Sequence, residues 1–258
     1  MNITVIGLGL IGGSIFKRLK KLGYSVNAIS ASQQGDDIFS DYSILENSDA
    51  VFVCTPMSKT IETLDKVAEY VKENTIVTDV CSLKNFLTHK KYAFNFIPSH
   101  PMAGTEFSGY ENSFEEMFEG AKWVITPLKP KQDCSVLENL IKLMGAEPIY
   151  TAPEKHDEAV AMISHTPMLL AQALFASAED NTLAMKLASS GFRDTTRLAG
   201  SNPQMAVDMI NMNSENIQNS LLKIYSTVGK LLDNYNIKSI KELANRRKSM
   251  YKDGKNIL

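Results

Sequence analysis

The sequence predicts an α/β N-terminal domain followed by an all-α C-terminal domain. Three observations predict it. Short apolar runs alternate with helix-patterned segments up to about residue 150. A glycine-rich loop joins the first run to the first helical pattern. Beyond that point the strand-like runs stop and helical spacing takes over. The expected domains are 1–150 and 151–258.

The elements follow in order. Ile3–Ile6 is an apolar strand that runs into glycines. Ser14–Leu22 has helical spacing, and Gly23 ends it as a C-cap. Ser25–Ile29 and Ala50–Cys54 are strands, the second stopped by Thr55-Pro56. Ser58–Lys72 is helical, Thr75–Val80 and Ala93–Ile97 are strands, and Pro98 closes the latter. Cys134–Met144 is helical between two further strands, Trp123–Thr126 and Pro148–Tyr150. Unbroken apolar runs suit a parallel sheet covered on both faces. Thr151 with Glu154 reads as a capping box that opens the helical part. Ala159–Ala176 is apolar nearly all round, which calls for deep burial or an interface. Pro167 should kink it or mark a boundary between two helices. Met205–Asn211 and Ile217–Leu232 read as further helices, and a basic stretch from Lys238 as a solvated tail.

Charge and composition exclude several classes. The 258 residues carry 27 Lys+Arg against 29 Asp+Glu, a net charge of −2. Such a chain has no general attraction for nucleic acid or for an anionic membrane. Cys54, Cys81 and Cys134 are too few and too far apart for a metal site or a disulfide framework. The start has no basic leader, and no apolar stretch reaches the ~18 residues of a membrane span. The expectation is a cytoplasmic protein with no metal, no nucleic acid and no membrane partner.

Gly7-Leu8-Gly9-Leu10-Ile11-Gly12 matches G-x-G-x-x-G directly after a strand and at the start of a helix. In that context it is the phosphate loop of a Rossmann-type dinucleotide site. Pyrophosphate would sit at the helix N-terminus, met by free N–H groups. The next strand end, Ser30-Ala31-Ser32-Gln33, lacks the acid that an NAD site uses for the ribose 2′-OH. A carboxylate there would repel a 2′-phosphate, so NADP is expected to serve at least as well as NAD. Cys54, Thr55 and Pro56 end a third strand on the same side and complete the expected cofactor contacts.

The loop Ser99-His100-Pro101-Met102-Ala103-Gly104-Thr105-Glu106 follows a late strand, where the ligand crevice of such a sheet opens. His100 is the best-placed of the four histidines for chemistry. His89 lies in a polar, lysine-rich stretch, His156 in a helix start and His165 in the helical half. An imidazole with an ordinary pKa of ~6.5 suits proton acceptance near neutrality.

Together with Thr78–Lys84, Ile163-Ser164-His165-Thr166-Pro167 and Ser190–Arg197, these motifs make the chain resemble the prephenate/arogenate dehydrogenase family of tyrosine biosynthesis. The resemblance covers nearly the whole chain. It implies oxidative decarboxylation of prephenate, with arogenate as the alternative substrate. His100 would be catalytic, with Ser82 orienting it and the substrate hydroxyl. Arg197 would hold a substrate carboxylate. His165, Thr105, Glu106 and Gly191 would also line the substrate, and His156-Asp157 would be structural. It implies a homodimer through the helical half, in a minimal monofunctional form. Two features depart from the family: Gln33–Asn47 is short, and Ala206 stands near a usual tryptophan. Two other readings compete: a β-hydroxyacid or imine-type dehydrogenase on the same architecture, and a nucleotide sensor without catalysis.

Overall fold

The structure is a computed structural model, and it describes residues 1–105 and 107–251. Six strands form a parallel sheet: β1 Asn2–Ile6, β2 Ser25–Ile29, β3 Ile38–Phe39, β4 Ala50–Val53, β5 Ile76–Asp79 and β6 Asn95–Phe96. Their spatial order is β3-β2-β1-β4-β5-β6, the doubly wound order of dinucleotide-binding sheets. The switch point lies between β1 and β4, where the glycine loop emerges. Helices α1 (Leu10–Lys21) and α2 (Met57–Val67) cross between the strands. On one face Ile15 and Leu19 of α1 pack with Ile3, Val5 and Phe52. On the other, Leu64 and Val67 of α2 pack with Val51, Val53 and Val77. Each such fully buried aliphatic contributes about 1.5–3 kcal/mol.

A second sheet was not expected. β7 (Ser99–Pro101) pairs antiparallel with β8 (Lys122–Ile125), which pairs parallel with β9 (Glu147–Tyr150). The single parallel sheet of the sequence reading is therefore two sheets. Ser99 is the junction. Its hydroxyl donates to the carbonyl of Asp79 at 2.9 Å and accepts from the indole of the fully buried Trp123 at 2.9 Å. Helix α3 (Ser135–Leu143) backs this sheet through Leu137, Leu140 and Ile141.

From Pro153 onward the described elements are helical: α4 Pro153–Val160, α5 Thr166–Ala178, α6 Thr182–Leu187, α7 Ser190–Thr196, α8 Pro203–Met212, α9 Ser214–Asp233 and α10 Ile237–Met250. Thr151 does not cap α4. Its N-cap is Ala152 with no side-chain bond, and Pro153 takes the first turn, where its missing N–H is harmless. Pro167 marks a boundary between two helices, as expected: α5 begins at Thr166 with the proline in its first turn. A π turn, Ala161–His165, joins α4 to α5 just before the proline. The result is one run of 26 residues, Pro153–Ala178, long and apolar enough by length and composition to cross a membrane. This corrects the expectation that no stretch reaches that length. A third of its most apolar window is buried in the chain, and Ile163 is 65% exposed. The basic C-terminal stretch is helix α10 rather than a tail, capped by Asn236 and Ser239. Ala206 is buried among Met57, Leu83, Val160 and Met209, so small side-chain volume there is matched by packing between the two halves.

Candidate active site

The glycine loop is shaped by contacts that exclude a side chain. Gly7 has φ +93°, and a Cβ there would lie 2.8 Å from the carbonyl oxygen of Cys54. A Cβ on Gly12 would meet the Gly7 carbonyl oxygen at 2.0 Å. Gly9, the N-cap of α1, faces open space, leaving a cradle in front of the unpaired N–H groups of the first turn. Those features fit a pyrophosphate.

One cavity of about 1090 Å³ runs from this loop to His100. Its size is at the upper end for ligand sites. Gly7, Leu8, Gly9, Leu10, Ile11 and Gly12 line one end, with Ser30, Ala31 and Ser32 beside them. Cys54, Thr55 and Pro56 form its floor, and Ser82, His100 and Thr105 its far end. The Ser30 hydroxyl accepts from the N–H groups of Ser32 at 3.3 Å and Gln33 at 3.1 Å, which leaves its own proton free to donate. The short segment after it builds β3 and a 3-10 helix, Tyr42–Asn47, and Tyr42 reaches the cavity wall. Asp37, the nearby acid, is paired with Lys20 at 2.5 Å.

His100 sits on β7 with its Nδ1 3.0 Å from Nε2 of His156. His156 in turn places Nδ1 2.7 Å from Oδ1 of Asp157. The Asp157 carboxylate also accepts from the backbone N–H groups of Lys84 and Asn85, both at 2.9 Å. Burial, then His156, Lys84 and His165, hold His100 well below the ordinary imidazole value. That corrects the expectation of an unperturbed value. Ser82 does not bond His100; its hydroxyl donates to Met57 Sδ at 3.3 Å.

The helical half places its expected residues differently. Ser164, Ser201, Asn202, Met205 and Met209 line the cavity, whereas His165, Gly191 and Arg197 do not. His165 is fully buried beside it, with Nδ1 3.2 Å from Asn213 and Nε2 without a partner among the described residues. Burial lowers its pKa to about 4. Arg197 is exposed on a 3-10 turn, and Gly191 lines a small separate hollow with Phe192 and Leu187. Glu106 lies outside the described residues. The sequence reading set His156 and Asp157 aside as structural, and the structure adds that they form a hydrogen-bonded chain to His100. Their adjacency in sequence is ordinary; what matters is that α4 turns them toward His100. No His/Cys/Asp/Glu group suited to a metal occurs among the described residues.

The family model of the prephenate dehydrogenase nucleotide-binding domain matches residues 20–150, and that of the prephenate dehydrogenase dimerization domain matches 152–246. The chain belongs to the prephenate dehydrogenase family. It is 32% identical to the prephenate dehydrogenase of Bacillus subtilis over 84% of this chain, and spans 65% of that relative's length. Among solved structures, arogenate dehydrogenase from Synechocystis superimposes with a TM-score of 0.80 at 31% identity, covering 96% of this chain and 98% of the other. Prephenate dehydrogenase from Aquifex aeolicus, in complex with hydroxyphenyl propionate and NAD+, gives 0.82 at 26% identity, covering 96% and 95%. Members of the family named for both substrates are thus similar to this chain. The nucleotide-binding match begins at residue 20, after the glycine loop, and takes in β2 to β9.

Proposed function

We propose that this chain catalyses NAD(P)-dependent oxidative decarboxylation of prephenate to 4-hydroxyphenylpyruvate, with arogenate as the alternative substrate. The observation that carries the reading is the single cavity joining the phosphate cradle to His100. Its relatives named for these activities support it.

The dinucleotide would be held by Gly7–Gly12, Ser30 and Thr55, and when bound it supplies the hydride acceptor. The chain does the rest. His100, neutral because burial disfavours its charge, accepts the proton of the ring hydroxyl as that carbon loses its hydride. The carbon–carboxylate bond then breaks, CO₂ leaves and its electron pair completes the aromatic ring. Ser82 can exchange its weak thioether contact for the substrate hydroxyl. With no acid among Ser30, Ala31, Ser32 and Gln33, the site accepts NADP at least as well as NAD.

A homodimer belongs to the same reading. The α4–α5 run leaves Met162, Ile163, Leu170, Leu174 and Phe175 exposed. Phe192 of α7 stacks on Phe175 at 6.2 Å, so Gly191 and Arg197 flank this face. A second copy covering it would put Arg197 at the boundary between copies, where its guanidinium can grip a substrate carboxylate. The test is turnover of prephenate and arogenate against both cofactors, followed by absorbance of the reduced nicotinamide. Cofactor binding without turnover of either substrate would point instead to a nucleotide sensor.

A further inference from the structure

We propose that His156 and Asp157 form a positioning chain that decides which nitrogen of His100 carries its proton, leaving Nε2 as the acceptor. The inference rests on the reading of His100 as the acceptor for the substrate hydroxyl. It starts from the carboxylate. Oδ1 of Asp157 accepts from Lys84 N–H and Oδ2 from Asn85 N–H, each at 2.9 Å. Both oxygens already act as acceptors, as a carboxylate's do.

The 2.7 Å contact from Oδ1 to His156 Nδ1 therefore places a proton on that nitrogen. In a neutral imidazole the other nitrogen, Nε2, is then an acceptor. It lies 3.0 Å from His100 Nδ1, so His100 donates there. The remaining nitrogen of His100, Nε2, is bare. It has no hydrogen-bond partner among the described residues, and the ring lines the cavity. The two imidazoles meet edge-on at 78°, which suits a directed N–H···N bond.

Holding α4 against the residues after β5 needs no more than Asp157 and the two backbone N–H groups. It does not need His156 aimed at His100, and at 2% exposure His156 has given up water to make that contact. A carboxylate that fixes the tautomer of a catalytic histidine is familiar from hydrolytic triads. Here a second imidazole is interposed. The groups facing His100 are His156 from α4, Lys84 after β5 and His165 from the π turn. None is acidic, so the carboxylate acts on His100 through His156.

The test uses the full chain labelled with 15N-histidine and saturated with NAD+. Long-range proton–nitrogen spectra report which nitrogen of each ring is protonated. The expected result is His100 protonated on Nδ1 and bare on Nε2. In His156→Phe the tautomers should mix. The value of kcat should fall ~10-fold or more, with substrate KM and cofactor Kd within about twofold. The acid limb of the pH profile should move, because the ring that accepts from Nδ1 is gone. His156→Gln, whose amide oxygen can accept from Nδ1, should recover part of kcat. A wild-type His100 protonated on Nε2 would overturn the proposal, as would His156→Phe with wild-type kcat and pH profile. Failure of the wild type to turn over either substrate would instead overturn the reading of function, while the nitrogen assignment would still decide this one.

Discussion

The buried ammonium of Lys84 donates to the backbone carbonyl of Ser99 at 2.7 Å and pairs with Asp79. Both charges are fully buried. Asp79 also accepts from the N–H groups of Cys81 at 2.8 Å and Ser99 at 3.2 Å. One ion pair therefore ties the end of β5 to the residue before His100. Removing one partner leaves the other charge unpaired in the interior. Lys84→Met should cost about 3–5 kcal/mol in urea unfolding. A loss below about 1 kcal/mol would show that water reaches the pair.

His165 makes stability depend on acidity. Its pKa is about 4 in the fold against 6.5 unfolded. Between those values the unfolded chain binds a proton that the native chain excludes, so stability rises with pH. The contribution is present above pH 6.5 and lost as pH falls toward 4, on the order of 3 kcal/mol in all. Denaturant midpoints over this window should show a steeper slope for the wild type than for His165→Asn. Equal slopes would assign the acid sensitivity elsewhere.

Gly12→Ala tests the phosphate loop by crowding. The added methyl would meet the Gly7 carbonyl oxygen at 2.0 Å, and backbone must move. Destabilisation of at least ~1–3 kcal/mol is expected, with cofactor binding weakened by displacement of the cradle. Unchanged calorimetric affinity for NAD+ and NADP+ would place the dinucleotide somewhere else.

Cofactor choice turns on Ser30. Ser30→Asp sets a carboxylate where the 2′-phosphate should lie, so preference should swing toward NAD. The ratio of kcat/KM for the two cofactors measures it. A wild type that favours NAD tenfold or more would refute the argument from the absent acid.

The parallel sheet and the phosphate loop were legible because their signals are local: an apolar run, three glycines, a helix start. The second sheet was hidden. β7 is three residues long and depends on Trp123 and Ser99 meeting across 24 positions. The helix boundary at Pro167 was legible, but the π turn before it cannot be read from spacing. His100 stood out by its loop, whereas His156 looked ordinary. Its contact with His100 exists because α4 carries it to within 3.0 Å of a residue 56 positions earlier. Arg197 was expected at the substrate, but a single chain leaves it exposed on a 3-10 turn and outside the cavity.

The most direct measurement is kcat of His100→Asn over pH, with cofactor affinity measured beside it. Asparagine keeps the approximate size and cannot take the hydroxyl proton. The wild type should hold its activity to well below the ordinary imidazole pKa, because the depressed value keeps His100 neutral there. The variant should bind NAD(P)+ normally and lose ~10²–10⁴ in kcat, with no acid limb from this group. A variant that keeps more than about a tenth of wild-type kcat would contradict the account and move the proton acceptor to another residue.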